Sequence, residues 1–369
     1  MPAVVGAGDA TRVLKNGSEI TVSGVEGDEG FVYAGRADVD ETELDLDEIP
    51  TTKTEVMVNL ANPAAALRWW QLPTAGVGLA RMEFIINNLI KIHPMALAHF
   101  DHVKDNKVRR EIERMTRGFE DKCEYFRQTL AEGIAMIAAS QHPRPVIVRL
   151  SDFKTNEYAR LIGGGGFEPE EANPMLGWRG ASRYYSEGYR DGFALECAAI
   201  KRVRETVGLD NVIIMIPFCR TVSEADRVLE VLAHNGLVRG ESGLQIYVMA
   251  EVPANIVRAQ AFAERFDGFS IGSNDLTQLV LGIDRDSDEL AALFDERDEA
   301  VVSLIGDLIE RGRAAGKKVG LCGQAPSDHP EFARTLVELG IDSISVSPDS
   351  FIAVSHHIAE AEGSRREDL

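Results

Sequence analysis

The sequence lacks the features of a membrane-spanning or secreted protein. Its 369 residues contain no apolar run of the roughly eighteen residues that a transmembrane helix needs. The first residues form neither the basic segment nor the apolar core of a signal peptide. Cysteine is scarce, and none of the four cysteines lies in a CxxC pair, so we expect neither a zinc site nor a disulfide framework. A cytoplasmic location fits this pattern best.

Positive charge is also scarce. The chain has 39 basic and 59 acidic residues and a formal net charge of −20 at pH 7. Such a chain repels nucleic acids and anionic membrane surfaces, so neither is an expected partner. The electrostatic field of this acidic chain also repels a small anionic substrate. If the ligand is an anion, arginines must therefore be concentrated where it binds.

From residue 54 onward, short apolar runs alternate with helical stretches. The runs are apolar throughout, which is typical of parallel strands that helices cover on both faces. Eight such runs predict an α/β fold, a (β/α)8 TIM barrel whose site lies where the strands end. A long helical stretch, roughly Phe84 to Ser140, is predicted to be an excursion between the second and third strands. The predicted strands are Val56–Leu60, Gly76–Arg81, Pro145–Leu150, Val212–Phe218, Gln245–Glu251, Gly268–Gly272, Lys318–Cys322 and Asp342–Val346, and the predicted helices include Phe193–Thr206, Val222–Asn235, Ala254–Arg265, Glu296–Ala315 and Pro330–Leu339.

Residues 1–50 differ from the rest of the chain. Three short β-like runs, Arg12–Leu14, Glu19–Ser23 and Gly30–Ala34, are separated by turn signals and are too few for a self-sufficient domain. The acidic stretch from Asp38 to Glu48 has no periodicity and is interpreted as a linker. We therefore expect a small β-rich segment over 1–50 and a barrel over 51–369.

Polar residues gather at the predicted carboxyl ends of the barrel strands. Arg81, Arg149, Glu251 and Cys322 close or nearly close four of the runs, and Asn274-Asp275 follow a fifth. A polar residue at a strand end is also exposed to water, and this exposure alone would explain the presence of any one of these residues. As a set they converge on one rim of the barrel, which favours a functional site.

Two of these residues suggest a metal site. Glu251 and Asp275 offer hard carboxylate oxygens, of which Mg²⁺ commonly takes one or two, with water and substrate completing its octahedron. No pair of histidines or cysteines is placed to build a softer metal site. The alternative for Glu251 is an ion pair with an arginine.

Four arginines, Arg81, Arg149, Arg179 and Arg285, supply the local positive charge that an anionic ligand requires. A guanidinium matches a carboxylate or phosphoryl group with two parallel hydrogen bonds. Arg183, close to Arg179, fits a surface position equally well.

Cys322 lies between glycines at a strand end. Beside a metal and arginines its thiol could have a lowered pKa and move protons, or it is simply a small buried side chain.

Five segments in the same order resemble the phosphoenolpyruvate (PEP)-utilising enzyme family, which includes phosphoenolpyruvate synthase, pyruvate phosphate dikinase and enzyme I of the bacterial sugar phosphotransferase system. Within the family, the stretch Val148–Tyr158 is similar to the synthase, whereas enzyme I usually has an aspartate- and glycine-rich sequence there. The five segments are Gly76–Phe84, Asn173–Gly180, Met249–Pro253, Ser270–Gln278 and Gly320–Gln324.

The resemblance implies a barrel that binds pyruvate or PEP with Mg²⁺ held by Glu251 and Asp275. It implies that Cys322 exchanges the methyl proton of pyruvate, while Arg149, Arg179 and Arg285 neutralise the transferred phosphoryl group. The positions that correspond to substrate contacts are Arg81, Arg149, Arg179, Glu251, Gly272, Ser273, Asn274, Asp275 and Arg285.

In the family a histidine on a swivelling domain carries the phosphoryl group from an ATP-grasp domain to the barrel. That histidine lies in a Thr-Cys-His-Ala-like motif just upstream of a segment similar to Pro2–Gly6, and none of the eight histidines here lies in such a motif. The resemblance thus implies that 1–50 is a remnant of the phosphohistidine domain and that this chain alone cannot carry out the ATP-dependent reaction. An enzyme I or pyruvate phosphate dikinase barrel, or a non-catalytic PEP-binding or dimerisation module, are the alternatives. A homodimer is expected by analogy.

Overall fold

The computed structural model describes residues 4, 8–23, 30–38, 46–285 and 287–367. Their contacts divide the chain into two compact units, residues 1–49 and 50–369. No helix in these described ranges is long and apolar enough to cross a membrane.

The first unit contains a short helix, α1 (Ala10–Val13), and an antiparallel pair, β1 (Ile20–Ser23) and β2 (Phe31–Ala34). The two predicted strands that form this pair are confirmed. The predicted strand Arg12–Leu14 is wrong, because the backbone N–H groups of Arg12 and Val13 donate to the carbonyl of Asp9 and close a helical turn. The predicted acidic linker lies largely outside the described residues, since 39–45 are not among them. The interpretation of this unit as a remnant of a phosphohistidine domain stays a prediction.

The second unit is a closed barrel of eight parallel strands, which confirms the predicted TIM barrel. Its strands are rich in valine and isoleucine and are largely buried, as strands covered by helices must be. The last strand pairs with the first, for example Ile344 beside Val56, and so closes the barrel. The strands are β3 (Glu55–Leu60), β4 (Val77–Arg81), β5 (Val146–Arg149), β6 (Val212–Ile216), β7 (Ile246–Ala250), β8 (Gly268–Ile271), β9 (Lys318–Leu321) and β10 (Ser343–Val346).

Helices surround the strands, and the excursion predicted between the second and third strands is present. Its longest helix, α6 (Lys122–Gln141), comes so close to α3 (Met82–Ile85) that a Cβ atom on Gly133 would lie 2.9 Å from Ile85 Cγ2. The α-helices of this unit are α2 (Pro63–Ala66), α3 (Met82–Ile85), α4 (Pro94–Ala98), α5 (Asn106–Met115), α6 (Lys122–Gln141), α7 (Thr155–Tyr158), α8 (Ala181–Tyr184), α9 (Arg190–Lys201), α10 (Val222–His234), α11 (Pro253–Val257), α12 (Ala259–Ala263), α13 (Ser273–Leu281), α14 (Glu299–Ala314), α15 (Ala325–Asp328), α16 (Phe332–Leu339) and α17 (Phe351–Glu367). Two stretches, Ile86–Ile90 and Arg202–Val207, are π-helical.

One predicted helix is interrupted. The stretch Ala254–Arg265 forms α11 and α12, with Arg258 between them in a non-helical conformation (φ −110°, ψ 25°). The amide of Arg258 still donates to the carbonyl of Ala254 at 3.0 Å, as in an α-helix, so the interruption lies in the backbone angles of Arg258.

A layer of side chains fills the barrel axis below the carboxyl ends of the strands. Leu79, Ile147, Met215, Tyr247, Met249 and Cys322 form this cluster. Leu79, Met249 and Cys322 also form the floor of a cavity that opens above them. The packed core therefore determines where the floor of the candidate site lies.

Candidate active site

A cavity of about 470 Å³ lies at the carboxyl ends of the barrel strands. The structure brings nine of the ten predicted site residues to its wall: Arg81, Arg149, Arg179, Glu251, Gly272, Asn274, Asp275, Arg285 and Cys322. The tenth, Ser273, is fully buried and its hydroxyl hydrogen-bonds to Glu296 instead.

The charges on the cavity wall balance within a strongly acidic chain. Five basic and five acidic side chains line it, although the whole chain has a net charge of −20. The local concentration of arginine that an anionic ligand requires is thus present at this place. The acidic members are Glu83, Asp152, Glu157, Glu251 and Asp275, and the basic members are Arg81, Arg149, Lys154, Arg179 and Arg285.

Arg179 connects two carboxylates across the cavity. Its Nε and Nη2 donate to the two oxygens of Asp152 at 3.0 and 2.7 Å, and its Nη1 donates to Asp275 Oδ1 at 3.0 Å. The guanidinium lies 4.1 Å from the centre of the Phe218 ring. Burial lowers the pKa of Arg179, but the carboxylates of Asp152 and Asp275 outweigh it, so the pKa is raised and the side chain is a fixed cation.

The backbone beside Arg179 permits this approach only because residue 180 is glycine. Gly180 has a φ of +56°, and a Cβ atom there would lie 2.6 Å from the carbonyl oxygen of Pro217. The loop that carries Arg179 therefore packs directly against the end of β6.

Arg149 is held by a second pair of carboxylates. Its Nη2 donates to Glu83 Oε1 at 3.1 Å, and its Nη1 lies 3.6 Å from Asp152 Oδ2. Burial raises the pKa of Glu83, although Arg149 opposes it. Glu83 Oε2 and Arg149 Nε have no hydrogen-bond partner within the described ranges of the chain. These two groups keep a donor and an acceptor that the protein does not satisfy.

Glu251 directly follows β7, and Asp275 lies in the first turn of α13, after the neighbouring strand β8. Glu251 Oε1 accepts a hydrogen bond from the Phe218 amide at 2.6 Å. A Cβ atom at position 272 would lie 2.9 Å from Glu251 Oε2, so Gly272 leaves that oxygen room. Within the part of the chain that the structure describes, Glu251 forms no ion pair with an arginine. Burial, and then the Asp275 and Asp152 carboxylates, raise the pKa of Glu251 well above its usual value.

These donors fit a hard divalent cation. Two carboxylates from adjacent strands, one of them buried without an ion-pair partner, supply the oxygens that Mg²⁺ prefers. No cluster of three histidine, cysteine, aspartate or glutamate side chains that could hold a metal occurs in the described residues. A Mg²⁺ ion commonly takes one or two carboxylates and completes its coordination with oxygens from water and substrate.

Cys322 is buried, with 4% of its surface exposed, and its thiol lies 3.5 Å from the carbonyl oxygen of Ile271. Burial raises the pKa of the thiol to about 11, although Arg149 and Arg81 oppose the shift. Of the two alternatives for Cys322, the raised pKa agrees with a small buried side chain, because the desolvation outweighs the nearby guanidiniums. The thiol is therefore protonated at neutral pH.

The remaining predicted residues lie at the cavity mouth. Asn274 Nδ2 donates to Gln324 Oε1 at 3.1 Å, which joins the loop after β8 to the loop after β9. Arg285 Nη1 donates to Asp275 Oδ2 at 3.3 Å, and its side chain is 31% exposed. Arg81 is exposed at the end of β4.

Sequence reasoning missed the acidic residues that hold the arginines. Glu83 and Asp152 both lie in segments that resemble the family, yet neither was assigned a role. The signal was available in principle, since two buried arginines need carboxylate partners. Which carboxylates serve could not be inferred, because Glu83 and Asp152 are 69 residues apart in sequence.

A buried hydrogen-bond network lies beneath the Asp152 loop. Glu196 Oε1 accepts from the hydroxyls of Ser151 at 2.5 Å and Tyr189 at 2.6 Å. The hydroxyls of Tyr158 and Tyr189 are 2.7 Å apart. Burial raises the pKa of Glu196 to about 7, while the two hydroxyl donors partly oppose it.

This network makes stability depend on pH. The folded protein holds a proton on Glu196 between about pH 4.5 and 7 that the unfolded chain has already released, so the free energy of unfolding falls as pH rises through this window. Relative to Glu196→Gln, the wild-type protein should lose about 3 kcal/mol across it. Urea unfolding of both proteins at several pH values measures the difference. A difference between the two proteins that stays constant with pH would contradict the assignment.

Comparison with known proteins gives one family. A profile described as PEP-utilising enzyme, PEP-binding domain, matches residues 37–363. Curated proteins called phosphoenolpyruvate synthase are similar over nearly the whole chain: 51% identity with that of Aquifex aeolicus, 54% with that of Synechocystis sp. and 52% with that of Escherichia coli, each over 98% of this chain. The chain spans 48%, 44% and 45% of these relatives, which is less than half of their length.

Proposed function

The chain belongs to the PEP-utilising enzyme family, whose PEP-binding domain it contains, and from this premise we propose that its barrel binds pyruvate or PEP and interconverts them. The observation that carries the proposal is the charge-balanced cavity, where Glu251, Asp275, four arginines and Cys322 converge. The similarity to phosphoenolpyruvate synthases supports the synthase branch rather than enzyme I or pyruvate phosphate dikinase. In this reading the whole enzyme forms PEP from pyruvate with ATP as phosphoryl source.

The arginines bind and orient the anionic groups of the substrate. Arg149 and Arg179 are held rigidly by Asp152 and further carboxylates, so their free N–H groups need no reorganisation when charge develops on a transferred phosphoryl group. Arg285 is less buried and donates to Asp275 through Nη1, so its remaining N–H groups can bind a phosphoryl group at the mouth. Arg81 and Asn274 lie where they can position the substrate carboxylate or the phosphoryl group.

Mg²⁺ fits the same cavity. Glu251 and Asp275 would hold it, and when bound it would act as a Lewis acid toward the substrate oxygens. Among the described residues, none forms a hydrogen bond to Glu251 Oε2, the oxygen beside Gly272. Asp275 is turned toward both Arg179 and Arg285, so it also couples the metal side of the cavity to the arginines.

Cys322 is the proposed proton carrier at the methyl carbon. When PEP gives up its phosphoryl group, the enolate of pyruvate remains, and the thiol donates its proton to the methylene carbon to form the methyl group. In the direction of PEP synthesis the thiol must first release its proton to solvent, and the resulting thiolate then takes a proton from the methyl group. A thiol that is protonated at rest is ready to donate its proton to the enolate.

The phosphoryl donor must come from outside the barrel. The relatives are more than twice as long as this chain, and none of its histidines lies in a carrier motif, so we infer that a phosphohistidine domain of the whole enzyme visits the cavity. By itself this chain is expected to show no ATP-dependent synthesis of PEP.

Solvent exchange tests the proposal without a phosphoryl donor. With Mg²⁺ present, the folded chain should catalyse deuterium exchange into the methyl group of pyruvate, followed by proton NMR. Cys322→Ala should slow this exchange by about a hundredfold, because the proton carrier is gone. The control is Cys197→Ala, a buried cysteine on α9 that does not line the cavity.

Two outcomes would count against this function. If Cys322→Ala exchanged at the wild-type rate, another group would carry the proton. If the wild-type chain bound oxalate, a mimic of the pyruvate enolate, with Mg²⁺ in calorimetry but catalysed no exchange, it would be a binding module and not a catalyst.

A further inference from the structure

Glu296 lies outside the cavity but contacts two of the loops that build it. It is 7% exposed and precedes α14. Its carboxylate hydrogen-bonds to the hydroxyl of Ser273, the first residue of α13. The backbone amides of Ala325 and Gln324, at the start of α15, also face this carboxylate. One carboxylate therefore joins the loop after β8 to the loop after β9.

The contact is tight enough to fix the residue type beside it. A Cβ atom on Gly323 would lie 1.6 Å from Ser273 Oγ and 2.6 Å from Glu296 Oε2. Any larger residue at 323 would push the two loops apart. Gly323 directly follows Cys322, and Ser273 lies two residues before Asp275.

These two loops carry different parts of the proposed chemistry. The β8 loop supplies Asp275, on the metal side, and the β9 loop supplies Cys322, on the proton side. On the cavity side they are joined by the hydrogen bond from Asn274 to Gln324, at the exposed mouth. The buried contact through Glu296 is the more constrained of the two, because solvent cannot replace it.

We propose that Glu296 is a positioning residue that fixes the β9 loop, with Cys322, against the β8 loop, with Asp275. Its effect on catalysis rests on the function proposed above. Removal of the carboxylate frees the segment from Gly323 to Ala325 while β8 and β9 remain paired, so the thiol loses its fixed place but the Glu251 and Asp275 side of the cavity persists.

The first test is independent of catalysis. Cys322 in the wild-type protein should react slowly with iodoacetamide, and Glu296→Ala should raise its rate by about tenfold, as expected for a locally opened segment. Peptide mass spectrometry reports each cysteine separately, so the buried Cys197 and Cys219 serve as internal controls. An unchanged rate at Cys322 would overturn the proposal, and so would a parallel rise at all three cysteines, which would show general unfolding.

The second test separates positioning from binding. Glu296→Ala should slow deuterium exchange into pyruvate by about ten- to a hundredfold, whereas the affinity for oxalate with Mg²⁺ should change by less than about threefold. Equal losses of exchange and of oxalate affinity would contradict a positioning role. If the wild-type chain shows no exchange, the proposed function fails, while the alkylation result still decides whether Glu296 holds the loop.

Three further variants guard against misfolding. Ser273→Ala removes one arm of the contact and should have a smaller effect in the same direction, and the double variant should be no slower than Glu296→Ala, because both act through one contact. Glu299 lies three residues further along the chain and is exposed, so Glu299→Gln should behave as wild type. Additive losses in the double variant would overturn the shared contact.

Discussion

Replacing Arg179 with methionine is expected to slow deuterium exchange into pyruvate about a thousandfold and to lower the free energy of unfolding by about 3 to 5 kcal/mol. The side chain is 2% exposed and binds Asp152 through two hydrogen bonds and Asp275 through a third. Methionine has similar length but no charge. Both carboxylates would then be left in a low-dielectric cavity without their shared cation.

The loss of activity has a separate cause from the loss of stability. Asp275 would no longer be held beside Arg285 in its present orientation, since Arg179 takes one of its two oxygens. Arg179→Lys should recover little of either property, because a single ammonium cannot bond to two carboxylates in the geometry of the guanidinium fork.

Arg220→Met is the matched control. Arg220 stacks on the same Phe218 ring, at 4.6 Å, but donates to the carbonyl oxygen of Gly177 and does not line the cavity. It should leave the exchange rate close to that of wild type. Chemical unfolding and the exchange assay measure both effects, and an Arg179→Met protein as stable as Arg220→Met would show that the buried ion pairs contribute little.

The sequence predicts the barrel and the position of Glu251 and Asp275 well, for a physical reason. Strands covered on both faces are apolar throughout, so their limits are visible as changes in composition. A polar residue at such a limit must lie at a barrel end. The rim residues therefore follow from local pattern alone, without knowledge of the packing.

The features that could not be predicted from the sequence depend on packing between segments that are distant in the chain. Arg183, which fits a surface position equally well by sequence, is fully buried and paired with Glu168. The pKa of Cys322 depends on how completely the barrel core covers the thiol, and the motif shows only its neighbours. Ser273 was predicted to contact substrate because it lies in the same motif as Asn274 and Asp275, yet its hydroxyl donates to Glu296 on the far side of the loop.

Glu251→Gln should have effects of opposite sign on stability and on activity. Glu251 is 1% exposed, lies beside Asp275 and Asp152, and forms no ion pair within the described ranges. An amide of the same shape can still accept the hydrogen bond from the Phe218 amide, and it removes the cost of placing a third carboxylate there. The metal-free variant should therefore be more stable than wild type by on the order of 1 to 3 kcal/mol at neutral pH.

The same change should slow deuterium exchange about a thousandfold, because an amide oxygen is a weaker ligand for Mg²⁺ and the Lewis-acid assistance is worth several kcal/mol. In calorimetry, wild type should bind oxalate only when Mg²⁺ is present. Glu251→Gln should lose most of the affinity for oxalate, and its residual binding should not depend on Mg²⁺. Removal of Mg²⁺ with a chelator should reduce wild type to the level of the variant.

Glu196→Gln is the control for the binding half of this prediction. It also replaces a fully buried carboxyl with a raised pKa, but Glu196 does not line the cavity. The Mg²⁺ requirement for oxalate should be unchanged in it. If Glu251→Gln is less stable than wild type, the Glu251 carboxylate stabilises the fold. A gain in stability together with a loss of metal-dependent binding would mean that the fold keeps a destabilising carboxylate at this position because the cation needs it.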